Sequence, residues 1–375
     1  MNDLISVLMV STSYPENLSA WQGLFIRHLA DALGAYPGIK LQLWAPPGEH
    51  SKFVADACTI EESMWLKQLL AQGGIAHILR QRNLSSIVQP IKLLLLLRRV
   101  YTRHIQDSIL HINWLQNALP LYRLRTQQPA LISVLGTDMS LLNVPGVRQG
   151  LRRVFTQRRC LIAPNADWMT GRLQQLFGDV ARIKPVVFGI DPKWYELQRG
   201  ALAVPSKWLV VSRLTTAKIG PLFAWGAALF GKNRELHLFG PNQESMEIPT
   251  WVHYHGPTHP QDLITNWFPQ ATGLITLSKH AEGRPQIMLE AMAAGLPVIA
   301  SQQPAHADLI QSAQTGWLVA NQESLQTAVE WLENISNNIK IGQQARIWTQ
   351  QHIGTWDDCA KRYVDAYNQL LELRS

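Results

Sequence analysis

The chain has 375 residues, long enough for two substantial cores, and its 46% hydrophobic and 16% charged residues exclude an intrinsically disordered protein. The formal net charge is +7, and the excess is one-sided: residues 1–199 carry 22 Lys and Arg against 13 Asp and Glu, while residues 200–375 carry 12 against 14. A nucleic-acid-binding motif with interleaved aromatics is absent from the basic half, so its charge points to an anionic surface or substrate instead. The three cysteines, Cys58, Cys160 and Cys359, are too scattered for a disulfide framework or metal cluster, which points to a reducing cytosol. The first residues have no basic n-region, and no apolar run reaches the roughly 18–20 residues of a membrane span. The expected location is cytoplasmic, with peripheral contact at the inner face of the plasma membrane.

In chain order, short apolar runs alternate with helical segments, the pattern of parallel sheets. Ser6 to Ser11 predicts a first strand, Phe25 to Leu33 a helix and Leu41 to Trp44 a second strand. Arg80 to His104 holds six basic residues and no acidic one around the apolar block Leu93 to Leu97. Two readings of it are compatible: a crossover helix packed on the sheet, and a basic amphipathic helix lying on anionic lipid. Arg148 to Arg159 adds five more cations. Ile109 to Ile112, Ala130 to Leu135 and Cys160 to Ala163 predict further strands of one sheet. Val186 to Asp191 reads as the exit from a first domain, and Gln198 to Ser206, with Gly200 and Pro205, as the linker. A second series follows at Trp208 to Val211, Leu236 to Phe239, Val252 to Tyr254, Leu274 to Leu277, Val298 to Ala300 and Trp317 to Val319. Amphipathic helices are expected at Thr327 to Asn334 and Asp357 to Leu373.

The richest stretch is Leu274 to Ser301, which reads as strand, loop, helix and strand. Glu282 lies in the loop and Glu290, eight positions on, inside the helix. Pro285 suits a first helical position, Gly295 a C′ residue with positive φ, and Pro297 stops the helix. A helix entered from the carboxyl end of a parallel strand aims its N–H groups at the ligand crevice. The turn from Gly283 through Arg284 and Pro285 to Gln286 and Ile287 is then a phosphate cradle flanked by two carboxylates fit to hold sugar hydroxyls.

Glu282 to Ser301 resembles the E-x7-E segment of the retaining glycosyltransferases of family 4. So do Val211-Ser212-Arg213-Leu214 with Lys218-Ile219-Gly220, then Leu238-Phe239-Gly240, His255-Gly256-Pro257 and Thr315 to Val319, in the family's order. Tyr14-Pro15 with Gly23-Leu24-Phe25 resembles its amino-terminal loop, and Ala163-Pro164-Asn165 its strand before the interdomain region. The resemblance implies an α/β protein of the GT-B fold, with two Rossmann-like doubly wound parallel-sheet domains facing across a cleft. Residues 1–198 would form the acceptor-binding domain, residues 207–355 the nucleotide-sugar domain, and residues 356–375 a helix packing back on the first domain.

Breaking a bond between a sugar and a nucleoside diphosphate leaves two negative charges on the departing group. The chain has no Asp-x-Asp pair to hold a metal there, and the resemblance assigns Arg213 and Lys218 to the pyrophosphate. It assigns Glu290 to the ribose hydroxyls and Glu282 to the donor sugar, and Gly23 lets backbone approach the diphosphate. No metal and no cofactor are expected, since the nucleotide-sugar is a substrate. The alternative for Arg213 and Lys218 is that both are ordinary solvated loop cations, and for the two glutamates that each is a helix-capping acid worth only about 0.3–1 kcal/mol.

The first half departs from the family pattern. His111-Ile112-Asn113-Trp114 has Asn113 where a second histidine often stands, and Leu135 replaces the histidine that usually precedes Gly136. His111 remains as the candidate catalytic histidine, with a strand-end core role as its alternative. Asp138 and Asn113 are candidates for the acceptor. Arg284 stands where an apolar residue is usual, and the sequence leaves open whether it shapes the donor pocket or faces solvent. His253, His255 and His259 are read as structural or base-adjacent, with no metal. The expected function is a metal-independent retaining glycosyltransferase that moves a sugar from a UDP- or GDP-sugar to a glycan or lipid-linked acceptor. Lipopolysaccharide or other cell-surface polysaccharide assembly would suit it. Alternatives are a non-catalytic relative that binds nucleotide-sugar or a partner transferase, and another GT-B activity such as an epimerase or phosphorylase.

Overall fold

Short runs of Val, Ile and Leu, each bounded by Gly, Pro, Asn or Ser, form two separate all-parallel sheets. The structure, a computed structural model, describes residues 4–372 except 19, 75–77, 79–84, 125 and 203. The chain divides into two compact units, one of residues 1–189 with 356–375 and one of residues 190–355.

The first unit holds β1 (Ile5–Val10), β2 (Ile39–Trp44), β3 (Val54–Asp56), β4 (Ile109–Asn113), β5 (Ala130–Val134), β6 (Cys160–Pro164) and β7 (Arg182–Ile183). Their order in the sheet is β3-β2-β1-β4-β5-β6-β7. Every residue of β4, β5 and β6 is buried, as a parallel strand covered on both faces requires. Alternate residues feed two cores. Leu8, Leu110 and Ile132 pack on one side, and Val7, Ile109 and Leu131 on the other.

The helices of this unit are α1 (Leu24–Ala35), α2 (Ile60–Ala71), α3 (Ser85–Arg103), α4 (Val147–Thr156) and α5 (Thr170–Phe177), with a C-terminal helix at Trp356–Glu372. The C-terminal helix buries Trp356, Cys359, Tyr363 and Tyr367 in the same core as Ile26, Leu29 and Leu33 of α1. In α3, Leu93 and Leu97 are buried and Leu95 is exposed, so the apolar block divides between core and surface. Arg80 and Arg82 lie outside the described residues.

The second unit holds β8 (Ser206–Val211), β9 (Arg234–Phe239), β10 (Val252–Gly256), β11 (Gly273–Thr276), β12 (Val298–Ser301) and β13 (Trp317–Val319), ordered β10-β9-β8-β11-β12-β13. Its helices include α6 (Pro192–Glu196), α7 (Thr216–Ile219), α8 (Leu222–Gly226), α9 (Gln286–Ala293), α10 (Pro304–Ala307), α11 (Gln322–Glu333) and α12 (Ile335–His352). Strand order reverses between β1 and β4 in the first sheet and between β8 and β11 in the second. Open parallel sheets bind ligands at such reversal points, outside the carboxyl ends of the strands.

The segment read from sequence as a linker is anchored within the second unit. Arg199 donates from Nη1 to the Gly295 carbonyl at 2.9 Å and to Asn338 Oδ1 at 2.8 Å, and from Nη2 to the Ala271 carbonyl at 2.8 Å. Residues 190–198 belong to this unit as well, so the division falls at Gly189 rather than at 198.

Candidate functional site

The reversal point of the second sheet gathers the residues singled out from sequence. β8 ends at Val211 and feeds half-buried Arg213, then α7, whose first turn Thr215 caps by accepting from the Lys218 N–H at 3.3 Å. β11 ends at Thr276 and feeds the loop that carries Glu282. Lys218 Nζ and a Glu282 carboxylate oxygen form an ion pair between two largely covered side chains. Gly220 makes this pairing possible. A Cβ at that position would stand 2.1 Å from the Leu277 carbonyl oxygen, and its φ of +57° lies in the left-handed region. The K-x-G spacing is therefore a steric requirement: only glycine lets the lysine loop close on the glutamate loop.

Behind the ion pair runs a chain of polar contacts that sequence reasoning missed. Ser278 Oγ donates to Glu282 at 3.2 Å, Ser301 Oγ donates to the Ser278 carbonyl at 2.6 Å, and His306 Nδ1 lies 2.9 Å from the Ser301 carbonyl. Gln303 Nε2 meets His306 Nε2 at 2.8 Å, so that nitrogen accepts and Nδ1 carries the proton. Burial holds the His306 imidazole below its ordinary value, and it stays neutral. The available signal was positional: Ser278 lies two residues past the end of β11, and Ser301 closes β12.

Helix α9 starts at Gln286, with Pro285 as its N-cap rather than its first residue, and Pro285 has no side chain to cap the first turn. At its other end Gly295 has φ +69°, and two bonds run from Gly295 N–H to Met292 and from Leu296 N–H to Ala291, a Schellman closure. The helix has eight residues, and its first turn adjoins the Glu282 loop. Gly283 and Pro285 are buried, and Gln286 and Ile287 half-buried. Arg284 does not face solvent: it is buried, with Nη2 3.5 Å from Asp308. Glu290 exposes only part of its surface and its carboxyl is enclosed. Burial, with Asp191 nearby, pushes it up to about 8. A carboxyl so poised gains from any neutral donor, such as a pair of ribose hydroxyls, that enters to satisfy its ionised form.

In the first unit the candidates are committed to the protein itself. His111 on β4 has no exposed surface; its Nδ1 lies 2.6 Å from the Tyr367 hydroxyl and its Nε2 2.9 Å from Ser133 Oγ. Its ring packs on Tyr363 at 4.8 Å, and burial lowers it to about 3. Its Nδ1 thus ties β4 to the C-terminal helix and its Nε2 ties β4 to β5, which favours the strand-core alternative. Asn113 is fully buried and donates to the Val10 carbonyl at 3.0 Å, joining β4 to β1. Asp138 is 1% exposed. It accepts from the backbone of Leu135, Gly136 and Leu115 at 2.9–3.1 Å, while burial pushes its carboxyl up to about 6. Asn113 and Asp138 thus shape the loops at the ends of β4 and β5. Gly23 opens α1 with φ +76°, and a Cβ there would lie 2.8 Å from the Tyr14 nitrogen.

His253 and His255 do share one face of β10. Both stack on His237, whose ring lies 4.9 Å from His253 and 5.3 Å from His255, and His255 also stacks on Phe239. Among the described residues no three His, Cys, Asp or Glu side chains converge as metal ligands would. His259 instead caps a single turn at Pro260–Asp262. A groove lined by Gln128, Arg158 and Arg182 lies at the amino ends of β4 to β7, the opposite ends of those strands from the ones at which open parallel sheets bind ligands.

Residues 209–334 match the protein family described as Glycosyl transferases group 1. Among curated proteins no sequence matches at a significant level. Solved structures are similar over nearly the whole chain. Sucrose-phosphate synthase from Thermosynechococcus elongatus is 16% identical, with 98% of this chain and 100% of that chain covered and a TM-score of 0.70. HepE from Anabaena, solved in complex with UDP, is 12% identical with 97% and 100% covered and a TM-score of 0.70. The lipopolysaccharide outer core galactosyltransferase WaaB is 14% identical with 97% and 99% covered and a TM-score of 0.63. The fold is GT-B.

Proposed function

We propose that the protein is a metal-independent, retaining glycosyltransferase of family 4 type. It would transfer a hexosyl group from a nucleotide-diphosphate sugar to a hydroxyl of a glycan or lipid-linked acceptor. The observation that carries this reading is the Lys218–Glu282 ion pair at the reversal point of the second sheet, beside the first turn of α9. The family match over residues 209–334 and the UDP complex of HepE support a nucleotide-sugar donor. Assembly of cell-surface polysaccharide or lipopolysaccharide, at the cytoplasmic face of a membrane, is the setting that suits such an acceptor.

In this mechanism the donor rearranges charge that is already in place. The diphosphate takes Lys218 from Glu282, Arg213 adds a second cation, and the first turn of α9 faces the phosphates. Glu282, once released, accepts from hydroxyls of the donor sugar, and Glu290 accepts from the ribose. The acceptor oxygen then bonds to the anomeric carbon on the face from which the diphosphate departs. The carbon–oxygen bond to phosphate breaks, and the acceptor proton passes to a phosphate oxygen. No protein nucleophile is needed. Removing either cation is expected to cost about 10²–10³ in rate.

A second reading is a binder of nucleotide-sugar without turnover, favoured by the internal commitments of His111, Asn113 and Asp138. Incubation of the protein with UDP- and GDP-sugars, a panel of glycan and glycolipid acceptors and EDTA separates the two. Release of nucleoside diphosphate, with an α-donor giving an α-product by NMR, supports the transferase. Saturable binding with no diphosphate released would establish the binder, and an inverted product would overturn the retaining assignment.

A further inference from the structure

Helix α3 is apolar on two faces. Leu93, Leu97, Val100 and Tyr101 are buried in the first unit's core, as a crossover helix requires. On the opposite side Val88, Ile91 and Leu95 are 56%, 53% and 57% exposed. At 100° per residue Val88 and Leu95 lie within about 20° of each other, with Ile91 about 40–60° to one side. They therefore make one stripe over two turns rather than scattered surface residues. Exposed Lys92, its Nζ 5.3 Å over the Trp65 ring, and exposed Arg99 flank the stripe on one side; Arg98, on the other, donates to the carbonyls of Pro120, Tyr122 and Arg123. Between 85 and 103 there is no acidic residue. Neighbouring α2, tied to α3 by the Trp65–Gln89 hydrogen bond at 3.2 Å and the Arg103–Glu62 ion pair, exposes Ile60 and Met64 as well.

A water-facing helix surface is ordinarily polar, and core packing explains only the buried half of α3. An outer stripe of branched aliphatics edged by cations, with no acidic residue on α3 itself and exposed Glu61 on α2, complements a layer of acyl chains under anionic headgroups. We propose that this face of α3 docks on an anionic bilayer surface, with the helix axis in the plane of the interface. Val88, Ile91 and Leu95 enter the acyl boundary, while Lys92 and Arg99 meet headgroup phosphates. The inference gives a location to the membrane contact that a lipid-linked acceptor calls for. It is read without turnover, so its failure and that of the transferase assignment are separable.

The test is co-sedimentation of the full chain with vesicles of phosphatidylcholine alone or with about a third phosphatidylglycerol. Variants are Ile91→Glu with Leu95→Glu, and Lys92→Gln with Arg99→Gln; circular dichroism and a melting curve verify that each folds. Expected is binding to anionic vesicles at least about tenfold above neutral ones, lost at high salt and weakened about tenfold in each variant. Nucleotide binding should be unchanged in both. Equal binding to both vesicles, no binding to either, or wild-type binding by the folded Ile91→Glu/Leu95→Glu variant would overturn the proposal. If that variant fails to fold, the Lys92→Gln/Arg99→Gln pair decides in the same way.

Discussion

Burial sets the proton balance of Glu290, the side chain proposed to hold the ribose. Its folded-state value of about 8 lies well above that of the unfolded chain, so the folded protein binds the extra proton between. The nucleotide-free protein should therefore lose stability as pH rises from the ordinary glutamate range through about 8, and Glu290→Gln should flatten that slope. If ribose hydroxyls bind the ionised carboxylate, nucleotide binding near neutral pH must release a proton. Calorimetry in buffers of different ionisation enthalpy should detect the release in the wild type and not in Glu290→Gln. His111 carries the opposite sign. Its imidazole, lowered to about 3, stays neutral in the fold while the unfolded chain takes up a proton, so stability falls as pH drops below about 6.5 towards 3. With two buried hydrogen bonds and a ring contact at stake, His111→Ala should cost about 2–4 kcal/mol in denaturant melts. It should leave nucleotide affinity in the second unit unchanged.

At the scale of elements, the loops around β8 and β11 depend on close approach. Gly220→Ala would place a methyl group 2.1 Å from the Leu277 carbonyl, at a positive φ that alanine avoids. The expected result is a melting temperature lowered by several degrees together with weakened nucleotide binding, because the Lys218 loop can no longer close on Glu282. A fall in stability with nucleotide affinity intact would separate the glycine from the site. The same elements show what sequence could reveal. Strands β8 to β13 announce themselves as aliphatic runs of period and length that suit a buried parallel sheet, and the Schellman end of α9 was legible in Gly295 and Pro297. Helix α12 was not: Asn337 and Asn338 near its start are poor helix formers. Tertiary bonds from Asn338 to the Thr272 and Leu332 carbonyls hold it instead. The Ser278–Ser301–His306 chain was hidden for a related reason, since two of its three links run through backbone carbonyls, which leave no mark on residue type. His111 was visible as a strand residue, but its partners Tyr363 and Tyr367 stand about 250 positions away in sequence.

Across the whole molecule, charge is divided unevenly. The cations of the proposed donor site, Arg213 and Lys218, sit in the half of the chain without a basic excess. The excess lies in the first half, where α3 turns exposed aliphatics and cations outward. Sheet topology supplies the rest. Two parallel sheets, each with one reversal of strand order, offer ligand-binding ends by construction, and in the second sheet the ion pair stands at that point. The most direct test is calorimetric titration of the purified protein with UDP, GDP and ADP in the presence of EDTA, alongside Lys218→Ala and Glu290→Ala. Saturable binding of one nucleotide, weakened about tenfold to a hundredfold in each variant, is the predicted result. No binding of any nucleotide, or equal binding by wild type and both variants, would contradict the assignment of this site.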